Sequence, residues 1–240
     1  MALTDNLVAY WKFDESSGNA SDATGNGRTL VNSTSVTYSS GKINNGVDFG
    51  ATNTTKFLSV ANSLIGTYNA DSYTVSVWLN ILTLPSGNNQ TICGIGGDAG
   101  RAQTNLMYID IAGTKYFYWS IFNGSSGFSA QLAYTLTTGT WTHVVYKKST
   151  TTVEVYVNGT SIGTASLSIT DASPGRTAEF TLAQEAAGTA NEYKGSMDEM
   201  GVWTRALSAT EVSQLYNSGA GLPYPLSVTN GGTSTAWLQF

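Results

Sequence analysis

The chain has 240 residues, 11% of them charged, against roughly 25% in an ordinary globular protein. Its 41% hydrophobic and 11% aromatic content excludes a disordered chain. A net charge of −5 with no run of Lys or Arg excludes a nucleic-acid partner, which needs a basic stripe against its phosphates.

The single cysteine, Cys93, excludes an internal disulfide framework and a thiolate metal cluster, and reads as a small core hydrophobe. No apolar run approaches the ~20 residues of a membrane span, so membrane insertion is not expected. Met1 to Asp5 lacks the charged and apolar regions of a secretory signal. Two routes stay open: a signal already removed, or delivery by assembly into a particle.

Leu7 to Phe13 reads as a strand of large side chains, followed by a loop of small polar residues through Gly27. Val36–Tyr38, Gly46–Phe49 and Phe57–Val60 read as short strands punctuated by Gly and Asn. In Tyr73–Ile81, Val75, Val77, Leu79 and Ile81 recur at period two, which is a strand signal. Thr91–Ile95, Leu106–Ile111, Tyr116–Phe122, Ala130–Tyr134 and Trp141–Lys147 continue the series, with polar loops at Ser86–Asn89 and Gly96–Asn105. Val153, Val155 and Val157 line one face of a strand that Asn158-Gly159 turns into Ser161–Thr164. Asn-Gly between two such runs marks a hairpin, because both turn positions need positive φ.

One helix is expected. Ser208 and Glu211 form a capping box, Leu207 and Val212 occupy the staple positions, and Val212, Leu215 and Tyr216 share a face, with Gly219 as the stop. Many short strands and one late helix predict an antiparallel sandwich. Leu222-Pro223-Tyr224-Pro225 is an extended, stiff connector. Leu226 to Phe240 reads as a tail that docks on its own sheet or on a neighbouring chain.

Several of these segments together resemble the laminin-G-like, concanavalin A-like jelly-roll domains, in their bacterial and viral branch. They are Tyr10 to Asp14, Asp22 to Gly27, Gly41 to Phe49, Tyr73 to Leu79, Gly139 to His143, Tyr156 to Gly159 and Asp198 to Tyr216. The resemblance implies an all-β, two-sheet antiparallel jelly-roll sandwich with one short C-terminal helix over residues 1–221, leaving 222–240 as an extended tail. It further implies carbohydrate or protein binding, often with one structural calcium, and core positions for Trp11, Trp78, Trp141 and Trp203.

Calcium takes six to eight oxygen ligands at about 2.3–2.6 Å. Asp22 offers a carboxylate, Asn26 an amide oxygen, and the glycines between them allow carbonyls to turn inward; Asp198, at the family's Asp-Glu position, supplies a second carboxylate. Asp14 is a weaker candidate. The alternative is that Asp22 and Asn26 cap a turn and Asp198 pairs with Arg205.

A glycosidase needs two carboxylates facing across the scissile bond. Here Asp71, Asp98, Asp110, Glu154, Asp171, Glu179, Glu185 and Glu192 are scattered through different segments. His143, the single histidine, lies in a strand that the family uses structurally, so nucleophilic triads are not expected. Gly94–Gly100 lacks the Lys-Ser/Thr and the helix of a phosphate loop.

The expected function is a non-catalytic, calcium-stabilised, lectin-like module for carbohydrate or cell-surface glycan. The loops Ser86–Asn105 and Asn123–Gln131 and the aromatic run Tyr116–Trp119 are where contacts are sought. The alternative is a structural decoration or fibre protein of a phage particle, its tail meeting other virion or surface proteins. Both place the chain outside cells or on a virion surface.

Overall fold

A computed structural model describes residues 1–61, 72–96, 103–122, 127–167, 179–185 and 191–227. The strands are β1 (Leu7–Trp11), β2 (Thr37–Ser40), β3 (Asn45–Gly50), β4 (Leu58–Val60), β5 (Ser72–Ile81), β6 (Asn89–Gly96) and β7 (Gln103–Ile111). They continue as β8 (Thr114–Phe122), β9 (Gly127–Ala133), β10 (Thr142–Ser149), β11 (Thr152–Val157), β12 (Thr160–Ser166), β13 (Phe180–Leu182) and β14 (Gly195–Trp203). The helix α1 spans Ala209–Tyr216.

Two antiparallel sheets form. One has eight strands in the order β12-β11-β10-β5-β14-β3-β2, with β1 also on β14; the other has six, β4-β13-β6-β7-β8-β9. The sequence alternation explains why they face each other. On β5, Val75, Val77, Leu79 and Ile81 enter the core, as do Phe117, Trp119 and Ile121 on β8. Tyr146 on β10 meets Trp119 edge-on with ring centroids 5.0 Å apart, and Trp11 on β1 stacks on Phe180 of β13 at 5.3 Å. Burying a large apolar side chain contributes about 1.5–3 kcal/mol, so these rings fasten one sheet to the other. The fold is the expected concanavalin A-like jelly roll.

The hairpin at 158–159 forms as its turn chemistry requires: Asn158 and Gly159 have φ of 50° and 77°. The strand β13 carries no sequence signal, since three residues are too few to show alternation.

A second, smaller core lies on the outer face of the eight-stranded sheet. There Val212 and Leu215 of α1 join Leu3, Leu7, Tyr10, Val145, Tyr156, Trp203, Leu207 and Leu226. The capping box forms, with Ser208 N–H donating to Glu211 at 2.8 Å and the Ser208 hydroxyl accepting from Glu211 N–H at 3.3 Å. The helix stops at Asn217, in the left-handed region at φ 48°, two residues before the expected Gly219. Tyr224 packs against Tyr10 at 5.5 Å and Leu226 is buried. The start of the expected tail therefore packs against the sandwich, while residues 228–240 lie outside the described residues.

Candidate functional site

The first and last strands lie side by side. β1 pairs with β14 through Leu7↔Trp203, Ala9↔Val202, Tyr10↔Gly201 and Trp11↔Met200. Against β5, the β14 register shifts between Asp198 and Gly201, and Glu199 adopts φ 46° there. This irregularity brings two consecutive acidic residues into buried positions.

Asp198 Oδ2 accepts from the backbone N–H groups of Lys42 at 2.7 Å and Ile43 at 2.8 Å, and Oδ1 from its neighbour's N–H at 2.8 Å. Burial raises its pKa to about 8, against the pull of the Ile43, Glu199 and Lys42 amides, and the charge on Glu199 adds to the rise. Glu199 accepts the Tyr10 hydroxyl at 2.5 Å and a bond from the Tyr224 backbone. Burial pushes it up to about 7. Lys12 and Asp14 form an ion pair at 2.6 Å beside it.

Asp22 makes the hydrogen bonds of the turn-capping alternative. Its Oδ1 accepts from Tyr10 N–H at 3.2 Å, Thr24 N–H at 3.0 Å and the Thr24 hydroxyl at 2.7 Å; Oδ2 accepts from Arg28 N–H at 3.0 Å. Three donors therefore crowd Oδ1 and one reaches Oδ2. Asn26 donates its amide to Val8 O at 3.1 Å. Together they make a capped turn fastened to β1. Among the described residues no hydrogen bond joins either of them to Asp198, and no three His, Cys, Asp or Glu side chains are grouped to hold a metal. Asp198 is not paired with Arg205, which grips Glu211 at 2.6 and 2.9 Å.

Two further carboxylate oxygens at this seam are left without a partner. Asp14 Oδ1 and Glu199 Oε1 are buried without a hydrogen-bond partner, and the charge on Asp14 adds to the rise at Glu199. Such oxygens are costly to leave unmet. Glu199 carried a weak signal, an acidic residue inside an otherwise apolar strand. Its free oxygen depends on the register shift, which the sequence does not announce.

The outer face of the six-stranded sheet has another character. The aromatic run on β8 splits: Phe117 and Trp119 are buried, whereas Tyr116 and Tyr118 point outward and are half-buried. Tyr118 sits between Met107 of β7 and Gln131 of β9, Tyr116 between Ile109 and Ala133, and Ser120 beside Ser129. At one end of this sheet Gly96, Gln103, Phe122 and Gly127 fall in one row, next to the row that holds Val60, Phe180 and Ile95. Of the expected contact loops, Ser86–Asn105 and Asn123–Gln131, much is strand in β6, β7 and β9, and residues 97–102 and 123–126 lie outside the described residues.

Several scattered carboxylates are engaged elsewhere. Glu154 pairs with Lys147 at 2.5 Å, Asp110 with Lys115 at 3.0 Å, and Glu185 accepts from Asn191 at 2.6 Å. Asp71, Asp98 and Asp171 lie outside the described residues. His143 Nε2 is 2.8 Å from the Ser76 hydroxyl, but its Nδ1 has no partner to orient it. Burial pushes the imidazole down to about 3, and its ring packs in a cluster with Trp78 and Tyr216. A base must reach substrate and be held by a third group; this histidine is packing.

No curated protein sequence matches the chain. Solved structures do. Domain 4 of AbnA, an extracellular arabinanase of Geobacillus stearothermophilus solved with arabinotriose, is 22% identical over 87% of this chain and 97% of its own, with a TM-score of 0.65. The binding domain of Paraclostridial Mosquitocidal Protein 1 is 18% identical over 90% of this chain and 53% of its own, with a TM-score of 0.65. The botulinum neurotoxin serotype D binding domain is 14% identical over 89% of this chain and 52% of its own, at 0.68. The chain thus spans about half of each toxin domain. At these identities the likeness shows the fold. A sequence model for the concanavalin A-like lectin/glucanase superfamily, in its laminin-G-like group, matches residues 49–213, and the chain belongs to that family.

Proposed function

We propose that this domain is a non-catalytic, lectin-like module that binds carbohydrate across the outer face of its six-stranded sheet. The observation that carries the reading is the pair Tyr116 and Tyr118, half-exposed on β8 beside Gln131, Ser120 and Ser129. Flat rings take the apolar face of a sugar, while amide and hydroxyl groups meet its hydroxyls. The arabinotriose bound by the AbnA domain supports a carbohydrate ligand, and the toxin binding domains support a role in surface attachment. This reading places the chain outside cells or on a virion surface.

Calcium belongs to the same proposal, at the seam of β1 and β14. Asp14 and Glu199 would hold it through their unpartnered oxygens. The ion would supply only positive charge between buried carboxylates; Asp22 and Asn26 would keep the adjoining turn.

A structural role in a phage particle keeps one favourable observation. Tyr224 on Tyr10 and buried Leu226 give whatever follows Ser227 a fixed point of departure.

A glycan array probed with the purified chain, with calcium and with chelator, tests the main reading. Retention of a defined set of glycans, weakened at least tenfold by Tyr118→Ala, is expected. Loss of no binding in that variant, or retention of no glycan by the parent, would overturn it.

A further inference from the structure

Trp141 departs from the core position expected of it. Among the described tryptophans, Trp11, Trp78, Trp119 and Trp203 are buried, whereas Trp141 is half-exposed and belongs to neither core. It immediately precedes β10, whose Thr142 pairs with Leu79, so it stands one rung along from that pair, on the side of Asn80. Its ring edge comes within 3.5 Å of where a side chain on Gly46 would sit. Gly46 is on β3, and β5 and β14 lie between β3 and β10 in the sheet. The indole therefore reaches over the outer face of the sheet.

A polar row runs across that face. Asn80 on β5 pairs with Ser196 on β14, Ser196 with Asp48 on β3, and Asp48 with Thr37 on β2. Their chain neighbours Leu79, Ile81, Met197, Val47 and Phe49 all enter the main core, which turns the row outward because strand side chains alternate. Asp48 Oδ1 accepts from Gly50 N–H at 2.9 Å and from the Ser196 hydroxyl at 3.2 Å. Asn80 Oδ1 is buried and has no hydrogen-bond partner. A buried acceptor left unmet is costly, and a hydroxyl group brought by a ligand would meet it.

We infer that Trp141, Asn80 and Asp48 form a second carbohydrate subsite, on the eight-stranded sheet and apart from the tyrosine face of the six-stranded one. Its ligand is a neutral sugar ring. The ring's C–H face lies on the indole, one hydroxyl donates to Asn80 Oδ1, and another donates to the Asp48 carboxylate. The carboxylate disfavours an anionic sugar or a phosphate. The inference rests on the carbohydrate-binding reading but uses none of its residues, so the module would grip a polysaccharide from both sheets.

The test uses the full chain and four neutral trisaccharides: arabinotriose, xylotriose, cellotriose and maltotriose. Indole N–H resonances are followed by NMR, with Trp141 assigned by Trp141→Phe, and stoichiometry is measured by calorimetry. At least one trisaccharide should shift the Trp141 signal and bind at two sites per chain. Asn80→Ala should weaken the site that moves Trp141 at least tenfold, with the circular dichroism spectrum unchanged and the Tyr118-dependent site intact. A single site abolished by Tyr118→Ala, with the Trp141 signal stationary, would overturn this inference and leave the proposed function standing. Binding to neither site would sink both.

Discussion

Tyr10 on the first strand gives its hydroxyl to Glu199 on the last, 2.5 Å away across 189 positions of sequence. Tyr10→Phe removes this donor and leaves the buried Glu199 carboxylate with the Tyr224 backbone bond alone. Loss of about 1–3 kcal/mol is expected, the desolvation cost of an unmet buried group. Urea melts of parent and variant measure it; equal midpoints would mean the bond contributes nothing.

The same carboxylate sets a pH dependence. Glu199 is pushed up to about 7 in the folded chain, above its unfolded value near 4.3. Protons are then bound more tightly by the native state, so the contribution is full below about pH 4 and lost as pH rises through 7. With chelator present, the melting temperature should fall between pH 5 and 8, and Glu199→Gln should make that limb shallower, the remainder belonging to Asp198, raised to about 8. A calcium ion requires the ionised carboxylate, so added calcium should remove the fall. Identical curves with and without calcium would dispose of the ion.

Glu211 has the opposite sign. Burial raises it, but its bonds from Arg205 and Ser208 outweigh this and bring it to about 2. Its contribution is present above about pH 4.3 and disappears as pH falls toward 2. Glu211→Gln should cost about 0.5–2 kcal/mol at neutral pH through the lost cap, and the deficit should shrink on acidification. A deficit constant from pH 7 to 3 would contradict the assignment.

Truncation separates the two parts of the C-terminal segment. Ending the chain after Gly221 removes Tyr224 and buried Leu226 and should cost about 2–5 kcal/mol, as large core deletions do. Ending it after Ser227 spares both and should leave the melting temperature unchanged. If the shorter deletion also changes the assembly state in size-exclusion chromatography, the anchoring role gains support.

Gly159 is held at φ 77°, and a side-chain carbon there would lie 2.9 Å from the Tyr216 ring. Gly159→Ala should therefore destabilise by about 1–2 kcal/mol from the left-handed backbone alone. A melt matching the parent would show that the turn relaxes freely.

The fold was legible wherever the signal was local. The alternation of Val75 to Ile81, the Asn158-Gly159 turn and the Ser208–Glu211 box each fix a structure within a few residues. β13 was invisible because Phe180–Leu182 becomes a strand only between β4 and β6. The candidate site was harder to read. An Asp22–Gly27 loop can wrap an ion or its own backbone with the same residues, and the bonds that Asp22 accepts from Thr24 and Arg28 depend on how the loop closes. Trp141 looked like core because a tryptophan beside a strand usually is. Its place depends on Gly46, almost a hundred residues earlier, leaving room for the ring. The aromatic run on β8 is legible, since strand alternation alone divides Tyr116 and Tyr118 from the buried Phe117 and Trp119.

The ladder between β1 and β14 also bears on biosynthesis. A ribosome releases Leu7 to Trp11 long before the strand that will accept their hydrogen bonds exists, so this strand must wait, unpaired and apolar, until Gly195–Trp203 has emerged. Sheets that depend on such distant partners form slowly. Expression of this domain should accordingly be sensitive to temperature and to chaperones that shelter nascent hydrophobic segments.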